Sequence, residues 1–231
     1  MTPVDKPLAL GELFAETTRI YRERFWAAIG LGAVAGIAFI PAAFVEVFLV
    51  QITLLAGAFT VAYAAASRLA AGDALGEAFA RTLARAPVLA VLMVAVAVPF
   101  AIGRLDPIIL FVSVFWLALT GFSIPVAMLE RAGEEGSWVD RLGGAMRRSL
   151  DLARAHYLHA AGVIAALVLV YVVAGNLLAI VLAGFADNSG FGALLLVQLV
   201  LAPFFFLGLA VLYFEQRARL ALRTGAHPTA N

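Results

Sequence analysis

The sequence predicts an all-α, polytopic membrane protein: six transmembrane helices arranged as three hairpin repeats, each preceded by an amphipathic interfacial helix. Three observations predict it. Hydrophobic residues make up 64% of the 231 and charged residues only 13%, with a mean hydropathy of +0.99; soluble domains carry about 25% charged residues. An octet recurs, LGELFAET at 10–17, LGEAFART at 75–82 and LGGAMRRS at 142–149, with starts 65 and 67 residues apart, the mark of an internal repeat. The charges are also sorted. Fifteen of the 16 Lys and Arg flank one set of ends of the apolar runs, the near side, and only Arg104 lies in a far-side loop.

The elements follow in chain order. Met1 to Arg24 holds eight charged residues and no apolar stretch of its own, so no cleavable signal is expected and the first span serves as the targeting signal. Within 8–25, Leu10, Leu13, Phe14, Thr17, Ile20 and Tyr21 recur at helical spacing opposite Glu12, Glu16, Arg19, Arg22 and Glu23, the pattern of an amphipathic helix. A span needs about 20 apolar residues, so the run that follows holds two, Phe25–Ala43 and Val47–Ala66, turning at Pro41 to Glu46. The second interfacial helix, 73–86, sets Leu75, Ala78, Phe79, Thr82 and Leu83 against Glu77, Arg81 and Arg85. Its spans are Pro87–Ile102 and Ile108–Leu129, separated by 103–107. The third interfacial helix, 137–155, begins at a Ser137–Asp140 capping box and opposes Leu142, Ala145, Met146, Leu150 and Ala153 to Arg147, Arg148, Asp151 and Arg154. Its spans are Tyr157–Leu182 and Phe191–Phe214. The repeats are therefore about 8–72, 73–136 and 137–223 within one membrane domain, 1–231. The positive charges predict that both termini are cytoplasmic, and fifteen Arg against one Lys with abundant Ala suggests a bacterial source, hence a cell (inner) membrane.

Gly11, Gly76 and Gly143 fall at one phase of the three octets. A glycine inside a helix costs about 1 kcal/mol relative to alanine, so its recurrence predicts close backbone approach there. FLVQITL at 48–54 and LLVQLVL at 195–201 also match, which puts Gln51 and Gln198 at corresponding depths. Pro125 and Pro203 are expected to kink the fourth and sixth spans.

Polar groups within spans are expensive and mark sites or helix–helix bonds. Gln51, Gln198 and Asn176 are the intramembrane candidates, read as interhelical hydrogen bonds or as ligands for a polar solute. Glu130, Arg131, Glu215 and Arg217 close the fourth and sixth spans. Pairing of the two carboxylates with Arg147, Arg148 or Arg154 would relieve their desolvation, and the same arginines could instead meet an anionic headgroup. His156 and His159 stand at i,i+3 with no third metal ligand nearby, so no metal is expected. With no cysteine, disulfides, thiolate metal sites and thiol nucleophiles are excluded. No phosphate-cradling glycine loop, metalloprotease or nucleophile-elbow motif, cluster of catalytic carboxylates or aromatic-and-basic nucleic-acid surface is present. No cofactor and no nucleic acid partner is expected.

The segments LGELF…YRERF at the start, PVAMLER followed by RRSLDL in the middle, and LYFEQRAR at the close resemble the membrane domain attached to some bacterial glycerophosphodiester phosphodiesterases and its uncharacterised six-span relatives. The resemblance covers most of the chain and implies a stand-alone membrane domain. It carries over no catalytic residue, because no segment of this chain is long and polar enough to hold a phosphodiesterase barrel. The expected role is that of a non-enzymatic scaffold or accessory subunit, in contact with the lipid bilayer and with a membrane-protein partner or a second copy of itself. The alternative is a carrier or lipid-handling protein whose Gln51 and Gln198 line a central polar cavity.

Overall fold

A computed structural model describes residues 6–105, 110–130, 137–183 and 189–225. All of its regular elements are helical: α1 (Leu10–Glu23), α2 (Phe25–Phe44), α3 (Phe48–Ala71), α4 (Leu75–Ala84), α5 (Ala86–Leu105), α6 (Leu110–Thr120), α7 (Ser123–Leu129), α8 (Trp138–Ala155), α9 (Tyr157–Ala183), α10 (Ser189–Leu196), a π-helical segment (Val197–Leu201) and α11 (Ala202–Thr224). Among the described residues, five stretches are long and apolar enough to cross a membrane: Phe25–Phe44, Phe48–Ala71, Val112–Leu129, Tyr157–Leu182 and Gly192–Thr224. These make the chain a multi-pass helical membrane protein. The expected span at Pro87–Ile102 falls within α5. Asp106, Arg131, Asp187 and Asn188 lie outside the described residues.

Several boundaries differ from expectation. α2 continues through Pro41 to Phe44, so the turn is only 45–47. A proline three residues from a helix end removes one hydrogen bond without ending the helix. α5 runs on through Gly103 and Arg104, and Ser189 and Gly190 already belong to α10.

The short helices α1, α4 and α8 each bury octet positions four and eight. These are Leu13 and Thr17, Ala78 and Thr82, and Ala145 and Ser149, all at most 1% exposed. α8 also buries Leu152 and Ala153, while Leu150 is only partly covered. Its capping box forms as the sequence predicts: the Ser137 backbone N–H donates to Asp140 Oδ2 at 2.9 Å, and the Ser137 hydroxyl accepts from the Asp140 N–H. The Ser137 hydroxyl also donates to Asp140 Oδ2 at 2.8 Å, and this bond, with the one from the backbone N–H, holds the Asp140 carboxyl below its ordinary range. In α1 the guanidinium of Arg19 does the same for Glu16, bonded at 2.5 Å.

The octet glycines do not pack. Gly11, Gly76 and Gly143 are exposed, and a Cβ built on any of them meets nothing within 4 Å. The expectation of close approach at that phase is wrong. The short helices dock through the residues at positions four and eight, two and six places further on.

Each short helix packs on the returning helix of the hairpin before it in the ring, α4 on α3, α8 on α7 and α1 on α11, and α8 packs also on α11 of its own hairpin. Neighbouring hairpins meet in the same sense, α3 with α5, α6 with α9, and the π segment and α11 with α2. Chain order is thus ring order, and α1 closes the ring. α3 is the hub, packed against α2, α4, α5, α7 and α11. Its near half is a run of buried small residues, Ala62, Ala64, Ala65, Ala66 and Ser67, which lets neighbouring backbones come close. Aromatic rings fill the middle, with Phe206 edge-on to Phe59 at 5.0 Å and stacked with Tyr63 at 6.5 Å.

Two interruptions in the returning helices follow from proline. Pro125 cannot donate to Gly121 O, and α6 breaks from α7 at Gly121–Phe122, four residues earlier. The carbonyls turned out there are met by hydroxyls: Ser123 donates to Thr120 O at 2.6 Å, and Ser149 of α8 to Leu119 O at 2.8 Å. Pro203 cannot donate to Leu199 O, and the π segment surrounds that residue. Gly32 of α2 lies directly against it, since a Cβ there would stand 2.2 Å from Leu199 O and 2.8 Å from Gln198 O. One residue further on, the Tyr21 hydroxyl donates to Val200 O at 3.1 Å.

Candidate functional site

The last carbonyls of an α-helix have no partner within it and carry the negative end of its dipole. At the near end of this bundle arginines from other elements supply the donors. Arg24, at the α1–α2 junction, donates to Leu69 O at 3.1 Å, Gly72 O at 3.1 Å and Asp73 O at 2.6 Å. It clasps the end of α3, where Gly72 turns the chain with φ of 116°. Arg85, at the α4–α5 junction, donates to Ala127 O at the end of α7, and Arg68 reaches Met128 O at 3.3 Å. Arg24 and Arg85, each the residue before an outgoing helix, thus tie down the end of the helix that returns beside it.

The third junction is built differently. His156 takes the place of the arginine and is exposed. Arg223 of α11 reaches across to Arg154 O at 2.8 Å and Ala155 O at 3.0 Å, capping α8. Arg219 donates to Glu215 and, at 3.0 Å, to Leu8 O, pinning the chain ahead of α1. Glu215 and Gln216 are 0% exposed, and the Gln216 amide donates to Glu215 Oε2 at 2.9 Å.

Glu130 pairs with Arg148 at 3.0 Å, as expected, and also accepts from the Tyr213 hydroxyl at 2.8 Å. Arg147 and Arg154 are exposed and do not join this pair. Glu215 does not pair with Arg147, Arg148 or Arg154: its partner is Arg219, one turn along its own helix. An i,i+4 neighbour needs no inter-helix alignment, which is why the local pairing wins. Arg217 stands beside Tyr213. His156 and His159 meet edge-on at 5.6 Å, and His159 Nε2 lies 3.5 Å from Glu215 Oε1, a neighbour the sequence spacing did not reveal. Among the described residues, no three His, Asp or Glu side chains are placed to hold a metal ion.

The glutamines have separate tasks. Gln51 donates to Ala42 O at 3.0 Å and so caps the end of α2. Gln198, in the π segment, is 7% exposed, lies beside Tyr171, and leaves its Oε1 without a partner. Asn176 is exposed and donates to Val172 O at 2.7 Å on its own helix, while the adjacent Gly175 packs on Val197. Sequence reading missed Gly32 and Gly36, although Gly-x-x-x-Gly in an apolar 20-mer is a recognised signal of close helix packing. It also missed Tyr213, Tyr21 and the carbonyl-capping arginines.

Two grooves open at corresponding places in the ring. The larger, about 520 Å³, is lined by Arg22, Arg24, Phe25 and Trp26 of one junction and by Leu69 and Asp73 at the end of α3. The smaller, about 200 Å³, is lined by Arg85, Pro87 and Val88 of the next junction and by Glu130, Trp138 and Arg141. No protein-family model, curated protein or solved structure matches this chain.

Proposed function

We propose that this chain is a non-enzymatic scaffold or accessory subunit of a bacterial cell membrane, spanning it six times with both termini in the cytoplasm. α5 serves as the sixth span. Three hairpin repeats close into a ring, and α1, α4 and α8 lie at the cytoplasmic interface with their charged faces in water. The observation that carries the reading is the use made of the near-end polar groups. Arg24, Arg68, Arg85, Arg219 and Arg223 each donate to a backbone carbonyl of another element, and Glu130 joins α7 to α8 and α11. Groups committed to joining helix ends are not available to act on a substrate. The resemblance to the phosphodiesterase-associated membrane domain rests on the quoted segments and is compatible with an accessory role. Native mass spectrometry after gentle extraction tests the proposal: a stoichiometric protein companion is expected. Turnover of a substrate by the isolated chain would reject it.

One observation favours the second reading, a carrier or lipid-handling protein. Gln198 Oε1 is a buried acceptor without a partner in an irregular stretch of helix. In this cysteine-free chain, Gln51→Cys and Gln198→Cys should both resist a small polar thiol reagent if the scaffold reading holds. Rapid labelling at position 198 would shift the weight to a carrier.

A further inference from the structure

We infer that the groove at the α1–α2 junction is a binding site for the phosphate-bearing headgroup of an anionic membrane lipid. The inference rests on the membrane placement of α2 proposed above and adds a ligand to it. Four observations converge.

The groove's two acids are neutralised from outside it. Glu23 pairs with Arg19 at 3.0 Å, and Asp73 with Arg68 at 2.6 Å and Arg81 at 3.3 Å. Its cations are not. Arg24 donates to three carbonyls, which are neutral, so its charge meets no carboxylate. Arg22, on the exposed side of α1, makes no ion pair among the described residues.

The apolar side of the groove is uncovered as well. Trp26 is 81% exposed and Phe25 41%, both in the first turn of a helix long and apolar enough to cross a membrane. A free inorganic anion would use the guanidinium groups and leave these rings idle. A lipid uses both, with its phosphate bonded to Arg22 in the field of the Arg24 charge and its chains along Trp26. Aromatic rings with a polar edge settle at that depth.

The place recurs. The second groove has the same position in the ring and again sets arginines beside a tryptophan, Arg85 and Arg141 with Trp138. At the third junction the chain ahead of α1 is tied down instead: Leu8 is 6% exposed, and its carbonyl accepts from Arg219.

Trp26 is its own reporter once the two other tryptophans, Trp116 and Trp138, are changed to phenylalanine. Quenching of its fluorescence is measured in bilayers containing brominated phosphatidylglycerol or brominated phosphatidylcholine. One arginine near a surface contributes about 1 kcal/mol toward anionic lipid, so phosphatidylglycerol should be preferred over phosphatidylcholine and Arg22→Gln should lower that preference about fivefold. Lipid retention by native mass spectrometry repeats the comparison with all three tryptophans in place. Equal quenching by the two lipids, or an unchanged preference in Arg22→Gln, overturns the site. If excess inorganic phosphate lowers quenching to the Arg22→Gln level, an anion site stands and the lipid assignment falls. No quenching by either lipid refutes the membrane placement of α2, and the site with it.

Discussion

Replacing Gly32 with alanine tests the closest contact in the bundle. The added methyl would stand 2.2 Å from Leu199 O, 2.7 Å from Leu199 C and 2.8 Å from Gln198 O. Ordinary carbon–oxygen contact begins near 3.3 Å, so α2 and the π segment must separate by about 1 Å. All three obstructing atoms are backbone, so no rotamer change relieves the clash. Overpacking of this kind costs roughly 3 kcal/mol at the upper end of its usual range. The gain in helix propensity from glycine to alanine returns about 1 kcal/mol, leaving a net loss of about 2 kcal/mol. For a chain of this length that corresponds to a drop of about 4–8 °C in melting temperature. Heating the detergent-solubilised protein and following the folded fraction by size-exclusion chromatography reads it directly. Gly36→Ala is the control, since its Cβ meets only the Gln198 side chain at 3.9 Å. An unchanged or raised melting temperature for Gly32→Ala would refute the close contact of α2 with the π segment.

Gly11→Ala, Gly76→Ala and Gly143→Ala should each stabilise the fold by up to about 1 kcal/mol, because these glycines face open space; melting of the three variants checks the sign. Arg24→Gln strips the end of α3 of its charged donor and should cost about 2 kcal/mol, read as a fall in melting temperature with the helical content of the folded fraction intact. Tyr213→Phe leaves Glu130 with Arg148 as its remaining bonded partner and should cost about 1–2 kcal/mol, an effect that disappears in a Glu130→Gln background. The Glu16 carboxyl is held below its ordinary value of 4.5. Its contribution is therefore full above that pH and is lost as pH falls through the lowered folded value. Acid titration of melting temperature should show a loss of about 0.5 kcal/mol, typical of an exposed pair, that Glu16→Gln abolishes.

What the sequence made legible follows from which constraints are local. A span must carry about 20 apolar residues whatever surrounds it, so the helices beginning at Phe25, Phe48 and Tyr157 stand within a residue of their expected starts. Helical periodicity found the face of α1 that buries Leu13 and Thr17 and the face of α4 that buries Ala78 and Thr82. It overvalued the octet glycines, because recurrence shows that a residue is kept in phase without showing which side of the helix that phase faces. The clasping arginines were illegible for a different reason: their acceptors are backbone carbonyls, which every residue carries. Arg24 could be seen as a near-side charge, but nothing in its neighbours names Leu69 or Gly72 as its partners. The Glu130–Arg148 pair was readable because both ends are charged. The Tyr213 contribution was not, because tyrosine on an apolar helix reads as core. Ring order had no local signature, since α1 buries Leu13 and Thr17 equally well against any returning helix.

α1 closes the ring by packing chiefly against α11 and not against its own hairpin. Phe14 and Phe204 meet across that seam with ring centroids 6.2 Å apart. In this cysteine-free chain, a Phe14→Cys/Phe204→Cys double variant treated in native membranes with a short bifunctional thiol crosslinker measures the seam directly. An intramolecular crosslink, formed in most molecules and seen as a mobility shift that neither single variant shows, is the predicted result. No crosslink, or one that only joins two chains, would contradict a ring closed within a single chain.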